Sequence, residues 1–274
     1  MTRAIDWRMR PPFADWKESY LYTKGSISKK AVKPKAIEEW NVDYLIEDMD
    51  EAGMVAAMTP HRIGQNPDYL VELQNLYPGR FYGFLHVDPF DMEKGLSDID
   101  KYVINGPLYG VIIEPGQIFL KEPMHVDDER LFPIYEKCQA NNIVLTITFG
   151  GLLCANVDYY NPSHLDRVAV MYPDLKIVCS HGGWPYTTEI MHVAYQRPNV
   201  YISPDIYMMP THPGYMDYVV AANNLLKEKI LFGTAYPAVN PQDAVKIYSS
   251  LPLTEDALDH VLYKNAAKLL GIEE

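Results

Sequence analysis

Ile143-Val144-Leu145-Thr146-Ile147-Thr148-Phe149 is a short apolar run rich in β-branched residues, and Lys176-Ile177-Val178-Cys179-Ser180-His181 is a second. Between them, residues 163–172 carry apolar side chains at helical spacing. Strand, helix and strand in that order predict a parallel pair joined by a crossover helix, because antiparallel neighbours need no such connection.

The same unit recurs in both directions along the chain. Candidate strands fall at residues 4–10, 54–60, 81–88, 110–115, 143–149, 176–181, 200–206 and 230–236. Helix-period stretches at 42–52, 67–77, 129–141 and 163–172 lie between them. Eight evenly spaced repeats predict an α/β fold closed as a (β/α)8 TIM barrel. With 274 residues against about 250 for a typical barrel, residues 1–274 read as one domain. Two longer excursions, at 11–40 (with Trp16, Tyr20 and Tyr22) and 116–128, leave the carboxyl ends of strands and are candidate lids.

Composition narrows the function classes. A net charge of −12 opposes nucleic-acid and anionic-membrane partners, although a local cationic pocket still accommodates a small anion. Cys138, Cys154 and Cys179 are too few and scattered for a disulfide framework, and Cys154 reads as a plain buried thiol. Residues 1–10 lack a secretory apolar stretch, and no run approaches the 18 or so residues of a membrane span, so a cytoplasmic protein is expected.

Strand tips converge at the mouth of a barrel, so polar residues there are candidates for chemistry. In chain order they are Arg8 and Arg10, His61, His86 and Asp88, Glu114, Thr148, His181, Asp205, and Ala235-Tyr236. His181 precedes Gly182-Gly183, which permits close approach of backbone or ligand, and Asp205 can orient it or act as a base. Arg8 and Arg10, two residues apart on a strand, point to one face. They either form internal ion pairs with Glu114 and Asp205 or bind a substrate carboxylate or developing oxyanion. Trp7, Trp16, Trp184, Tyr186, Tyr207 and Tyr236 add aromatic surface that suits a planar ring, barrel packing and a dimer interface equally well.

Several stretches, taken in order, resemble the amidohydrolase-related (amidohydrolase 2) family, to which aminocarboxymuconate-semialdehyde decarboxylase belongs. They are Tyr77-Pro78-Gly79-Arg80-Phe81 with Val87-Asp88-Pro89, then Tyr172-Pro173-Asp174-Leu175-Lys176-Ile177-Val178 with Ser180-His181-Gly182-Gly183-Trp184-Pro185. Leu231-Phe232-Gly233-Thr234-Ala235-Tyr236-Pro237 and Asn265-Ala266-Ala267-Lys268-Leu269-Leu270-Gly271 complete the set. The resemblance implies a TIM barrel acting on small, often ring-derived carboxylates, and a homodimer. It also implies a divalent metal held by His-x-His on strand one, a histidine on strand five and an aspartate after Gly-Thr on strand eight. Here those positions are Arg8-Met9-Arg10, Thr148 and Ala235, and only His181 is kept. One imidazole does not hold zinc, which takes three or four protein ligands.

The expectation is therefore an enzyme without cofactor or metal, acting by lactone or ester hydrolysis or by decarboxylation. Catalytic residues are expected to be His181, Asp205 and Glu114, and substrate-binding residues Arg8, Arg10, His61, Thr148, Trp184 and Tyr236. Two other readings stay open. One is a metal-dependent hydrolase with ligands recruited from His61, His86, Asp88, Glu114 and His181; the other is an inactive small-molecule-binding barrel.

Overall fold

The structure, a computed structural model, describes residues 3–14, 33–118 and 120–272. Strands β1 (Ala4–Asp6), β2 (Met54–Pro60), β3 (Phe81–His86), β4 (Gly110–Ile113), β5 (Val144–Thr148), β6 (Ile177–Ser180) and β7 (Val200–Ser203) form one parallel sheet in sequence order. Helices α1 (Val42–Glu51), α2 (Asp68–Leu76), α3 (Met92–Asp98), α4 (Phe132–Ala140), α5 (Pro162–Met171), α6 (Thr187–Gln196), α7 (Tyr215–Asn223) and α8 (Pro241–Ser250) cover its outside. On α1 the buried positions are Val42, Leu45 and Met49, a stripe at helical spacing that faces the strands. The Asn41 side chain accepts from the Asp43 N–H at 2.8 Å and caps the first turn, a contribution of about 1 kcal/mol.

The sheet closes on itself through residues 230–236. The Leu231 N–H donates to Ile202 O at 2.8 Å, and the Trp7 N–H donates to Phe232 O at 2.9 Å. Eight ladder strands are expected from the sequence, and this eighth segment pairs only by single bridges, Ile202 with Ile230 and Met9 with Tyr236. The cause is that its N–H groups are taken by other acceptors. Phe232 N–H donates to Val261 O, and Thr234 N–H donates to the Asp6 carboxylate at 3.0 Å.

That same carboxylate shortens β1. Asp6 Oδ1 accepts from the Arg8 N–H at 2.8 Å, and Oδ2 accepts from Thr234 Oγ1 at 2.5 Å. The regular ladder therefore stops at Asp6, and Arg8 and Arg10 lie beyond it rather than on a pleated strand. Trp7 Nε1 and Arg8 Nη1, from neighbouring residues, reach Thr146 and Thr148 on the same face of β5, which strict alternation forbids.

The lumen is packed by Ile5, Trp7, Met58, Phe84, Val144, Val178 and Leu231. The C-terminal helices (Glu255–Asp259 and Asn265–Leu270, joined through a π-turn) add Tyr263, Ala266 and Leu270 to that cluster. A filled lumen leaves the mouth as the place for a ligand. Residues 15–32, with Trp16, Tyr20 and Tyr22, lie outside the described residues. The 116–128 excursion is packed, with Met124 and Val126 buried and Gln117 bridged to Cys154. Cys154 is half-buried, not the buried thiol expected, because it lies on that bridged loop instead of in a strand. No helix among the described residues is long and apolar enough to cross a membrane.

Closure through Asp6 is directly measurable. Asp6→Ala leaves two backbone N–H groups and a hydroxyl without their acceptor, and urea unfolding is expected to show a loss of roughly 3–5 kcal/mol. Burial raises the Asp6 carboxyl to about 6, against hydrogen bonds from Thr234 and Arg8 that lower it. Its contribution to stability is thus fully present below about pH 4 and is lost as pH rises through about 6. In Asp6→Asn, which cannot titrate, that decline relative to wild type is expected to vanish.

Candidate active site

The tips of β4, β5 and the segment after β1 meet in a buried cluster. Arg8 is 2% exposed; its Nη2 donates to Glu114 Oε1 at 3.2 Å and its Nη1 to Thr148 Oγ1 at 3.2 Å. Thr148 Oγ1 in turn donates to Glu114 Oε1 at 2.9 Å. The three side chains form a closed triangle in which the threonine hydroxyl accepts from the cation and donates to the anion. Glu114 Oε2 faces His86 Nε2 at 3.8 Å and Arg62 Nη1 at 3.9 Å.

The charges settle one another. Burial pushes the Glu114 carboxyl up, but positive charge from His86 when protonated, Arg8, Arg62 and Arg10 outweighs it and holds the group well below the usual carboxylate range. Burial pushes His86 itself down to about 4, so at neutral pH the arginines carry that effect. Removing one member of such a buried pair costs about 3–5 kcal/mol.

A second pair sits at the tips of β6 and β7. His181 Nδ1 lies 2.7 Å from Asp205 Oδ2; Asp205 is fully buried, whereas the His181 side chain keeps 16% of its surface exposed. Burial lowers the His181 pKa, Asp205 opposes the shift, and Arg8 and Arg10 reinforce it. The imidazole is therefore neutral at pH 7. Gly182 has φ +61°, and a Cβ there would meet Pro204 Cα at 2.9 Å. Glycine is what lets the β7 tip come close enough to set Asp205 against His181. Gly151 does the same from β5, since a Cβ there would lie 2.9 Å from the Tyr207 hydroxyl and 3.2 Å from His181 Cδ2.

Arg8 and Arg10 act electrostatically on both Glu114 and His181, so both guanidiniums lie within charge–charge range of the two groups. On the Glu114 side opens a cavity of about 350 Å³ lined by Arg62, His86, Asp88, Phe90, Glu114 and Lys121.

Other expected residues are used differently. His61 Nε2 contacts Gln65 O at 2.8 Å, fixing the turn after β2 instead of reaching the ligand space. The Tyr236 side chain is fully buried, and its carbonyl accepts from the Arg10 N–H at 3.3 Å. Trp184 stacks on Tyr207 (5.3 Å, 24°) and donates to Pro213 O, forming an aromatic wall behind His181. Asp205 pairs with His181. Sequence reading missed Arg62 and Lys121, of which Arg62 was signalled by its place beside His61 at a strand tip. It also missed Asp6, whose signal was a carboxylate inside an apolar run.

The metal positions implied by the family resemblance are held here by Arg8, Arg10, Thr148 and Ala235, and Glu114 is committed to Arg8. The mouth residues do not fit a divalent ion. A different group does have ligand character: one donor atom each of His125, Asp127 and His164 lie within 4.8 Å of one another. They stand on the 116–128 excursion and the first turn of α5, away from the strand tips at which ligands were sought.

No curated protein matches the sequence. Among solved structures, an uncharacterized TIM-barrel protein from Bordetella bronchiseptica is 32% identical with a TM-score of 0.90, over 98% of this chain and 99% of that one. The 5-carboxyvanillate decarboxylase LigW of Sphingomonas paucimobilis is similar at 17% identity and TM-score 0.71 over 100% of both chains. A dihydroxybenzoic acid decarboxylase from Polaromonas, solved with bound manganese and the inhibitor 2-nitroresorcinol, is similar at 17% identity and TM-score 0.73, over 100% of this chain and 98% of that one. Manganese in a protein of this fold, together with the His125–Asp127–His164 group, corrects the expectation that the chain takes no metal or cofactor. The sequence model of the amidohydrolase family matches residues 35–272, and the chain belongs to that family.

Proposed function

We propose that this protein is an enzyme of small, ring-derived carboxylates, in which Arg8 and Arg10 bind the substrate carboxylate and the His181–Asp205 pair moves the proton. The observation that carries the reading is Arg8 itself. Its guanidinium is buried and its Nε is buried without a hydrogen-bond partner among the described residues. An orphaned buried donor costs about 1–3 kcal/mol, and a carboxylate arriving at the mouth relieves that cost. The 5-carboxyvanillate and dihydroxybenzoic acid decarboxylases of the same fold support the substrate class.

The proton chemistry favours hydrolysis. With Nδ1 turned to Asp205, His181 presents Nε2 as a neutral base able to activate water against a lactone or ester carbonyl. Two cations on the substrate carboxylate hold its charge in the ground state and so oppose the movement of that charge into the ring that decarboxylation requires. Decarboxylation is the second reading, favoured by the activities named for proteins of this fold.

Calorimetric titration with 2,6-dihydroxybenzoate tests the arginines. Arg8→Met and Arg10→Met are each expected to weaken binding at least about tenfold, a change of about 1.4 kcal/mol. Because Arg8→Met strands Glu114, the Arg8→Met/Glu114→Gln double variant is measured beside it and is expected to bind as poorly; wild-type affinity in folded variants refutes the proposal. A screen of lactones, esters and aromatic carboxylates, followed by acid release and by CO2 capture, separates the two reactions.

The base has its own signature. In an imidazole ¹⁵N titration His181 is expected to titrate below 6.5, and lower still in Asp205→Asn, because Asp205 opposes the depression. A midpoint that rises in that variant would count against the pair. His181→Asn is expected to reduce turnover by about 10²- to 10⁴-fold.

A further inference from the structure

We propose that His125, Asp127 and His164 form a site for a divalent ion of the zinc and manganese class, on the rim of the barrel and separate from the mouth. There the ion would staple the loop after β4 to the start of α5.

The backbone of the site is already fixed. Met124 and Val126, on either side of His125, are 2% and 1% exposed, and Tyr135 Oη donates to Val126 O at 2.5 Å. The imidazoles of His125 and His164 lie face to face at 3.9 Å with a 20° tilt. His125 Nδ1 is buried without a hydrogen-bond partner, and its Nε2 stands 3.6 Å from Asp158 Oδ2, beyond hydrogen-bond length.

His164 is contested. Its Nδ1 lies 2.7 Å from Asp127 Oδ1 and 2.6 Å from Arg167 Nη2, while Arg167 Nε donates to Asp127 Oδ2 at 2.6 Å. Nδ1 cannot donate to the carboxylate and accept from the guanidinium at once, so one contact is left without its proton. A cation shared by His164 and Asp127 satisfies both atoms. Arg167, whose side chain is 52% exposed, is then a counter-ion that moves into solvent when the metal arrives.

Ligand chemistry sets the class of ion. Two imidazoles and one carboxylate suit zinc, manganese or cobalt, whereas magnesium and calcium prefer oxygen donors throughout. Metal–ligand bonds of about 2.0–2.1 Å put tetrahedral ligand atoms about 3.3 Å apart, so the donors, now within 4.8 Å, need close by only about 1.5 Å. Water or Asp158 can complete the sphere.

The test is calorimetry and thermal denaturation of the metal-stripped full-length protein with ZnCl2 and, separately, MnCl2. One equivalent is expected to bind and to raise Tm by several degrees, and His125→Ala and His164→Ala are each expected to lose at least tenfold in affinity. The Arg8→Met/Glu114→Gln variant, altered only at the mouth, is expected to bind as wild type does. Arg167→Ala is expected to tighten binding, a gain that a misfolded variant cannot mimic. No binding at millimolar metal, unchanged affinity in both histidine variants, or loss confined to the mouth variant each overturns the assignment. None of these outcomes bears on carboxylate binding by the arginines.

Discussion

A guanidinium 2% exposed has to be neutralised where it lies, and the mouth of this barrel is organised around meeting that demand for Arg8. Glu114 supplies the opposite charge and Thr148 links the two through a hydroxyl that serves as acceptor and donor together. The neighbours' protonation states follow. The arginines keep Glu114 ionised, burial empties His86 of its proton, and the same cations help keep His181 neutral. The site thus has a fixed cation, a fixed anion and a neutral base across the neutral pH range.

Where Arg8 lies is decided two residues earlier. Asp6 accepts the Arg8 N–H and the Thr234 N–H on one oxygen, so the carboxylate replaces ladder partners on both sides of the seam. Regular pairing would have carried β1 onward and sent Trp7 and Arg8 to opposite faces. Breaking the ladder lets both turn toward β5, Trp7 to seal the lumen at Thr146 and Arg8 to reach the mouth at Thr148. Closure of the barrel and placement of its buried cation are one structural event. A local rule of strand geometry is given up where the chemistry is placed.

This explains what could and could not be read from the sequence. The strands were legible because runs such as Val144–Thr148 and Ile177–Ser180 are rich in β-branched residues and free of charge, as burial along their whole length requires. Glu114, Thr148 and Arg8 were legible as polar residues at strand tips, since tips converge in any parallel barrel. The eighth ladder was not legible, because its loss depends on a side chain 228 residues away competing for the Thr234 N–H. His61 looked like a tip residue, but a carbonyl four residues on, at Gln65, captures it. Lys121, His125 and Asp127 come from a loop, and His164 from a helix start. Periodicity says nothing about where loops return, and so the one metal-competent group among the described residues is not legible from strand ends.

Backbone conformation divides the mouth into two unlike halves. His181, Asp205 and Ala235, at the tips of β6, β7 and the closing segment, have φ of +65°, +45° and +48°, although none is glycine. Such residues cost on the order of 1–3 kcal/mol each and persist only where the surroundings enforce them. The half built from β2 to β5 shows no such strain at its functional residues; it holds Arg62, His86, Glu114 and Thr148 by charge and hydrogen bonds. Strain on one side fixes an imidazole and its carboxylate in a single orientation, as proton transfer requires. Charge on the other side tolerates a degree of freedom, as ligand capture requires. A molecule anchored at Arg8 and Arg10, as proposed above, has its charged end within range of both halves, so its remaining atoms extend either into the cavity beside Glu114 or against His181 and the Trp184–Tyr207 wall. Only the second direction brings a bond within reach of a base. On the function proposed above, the strained half is therefore where the reaction belongs.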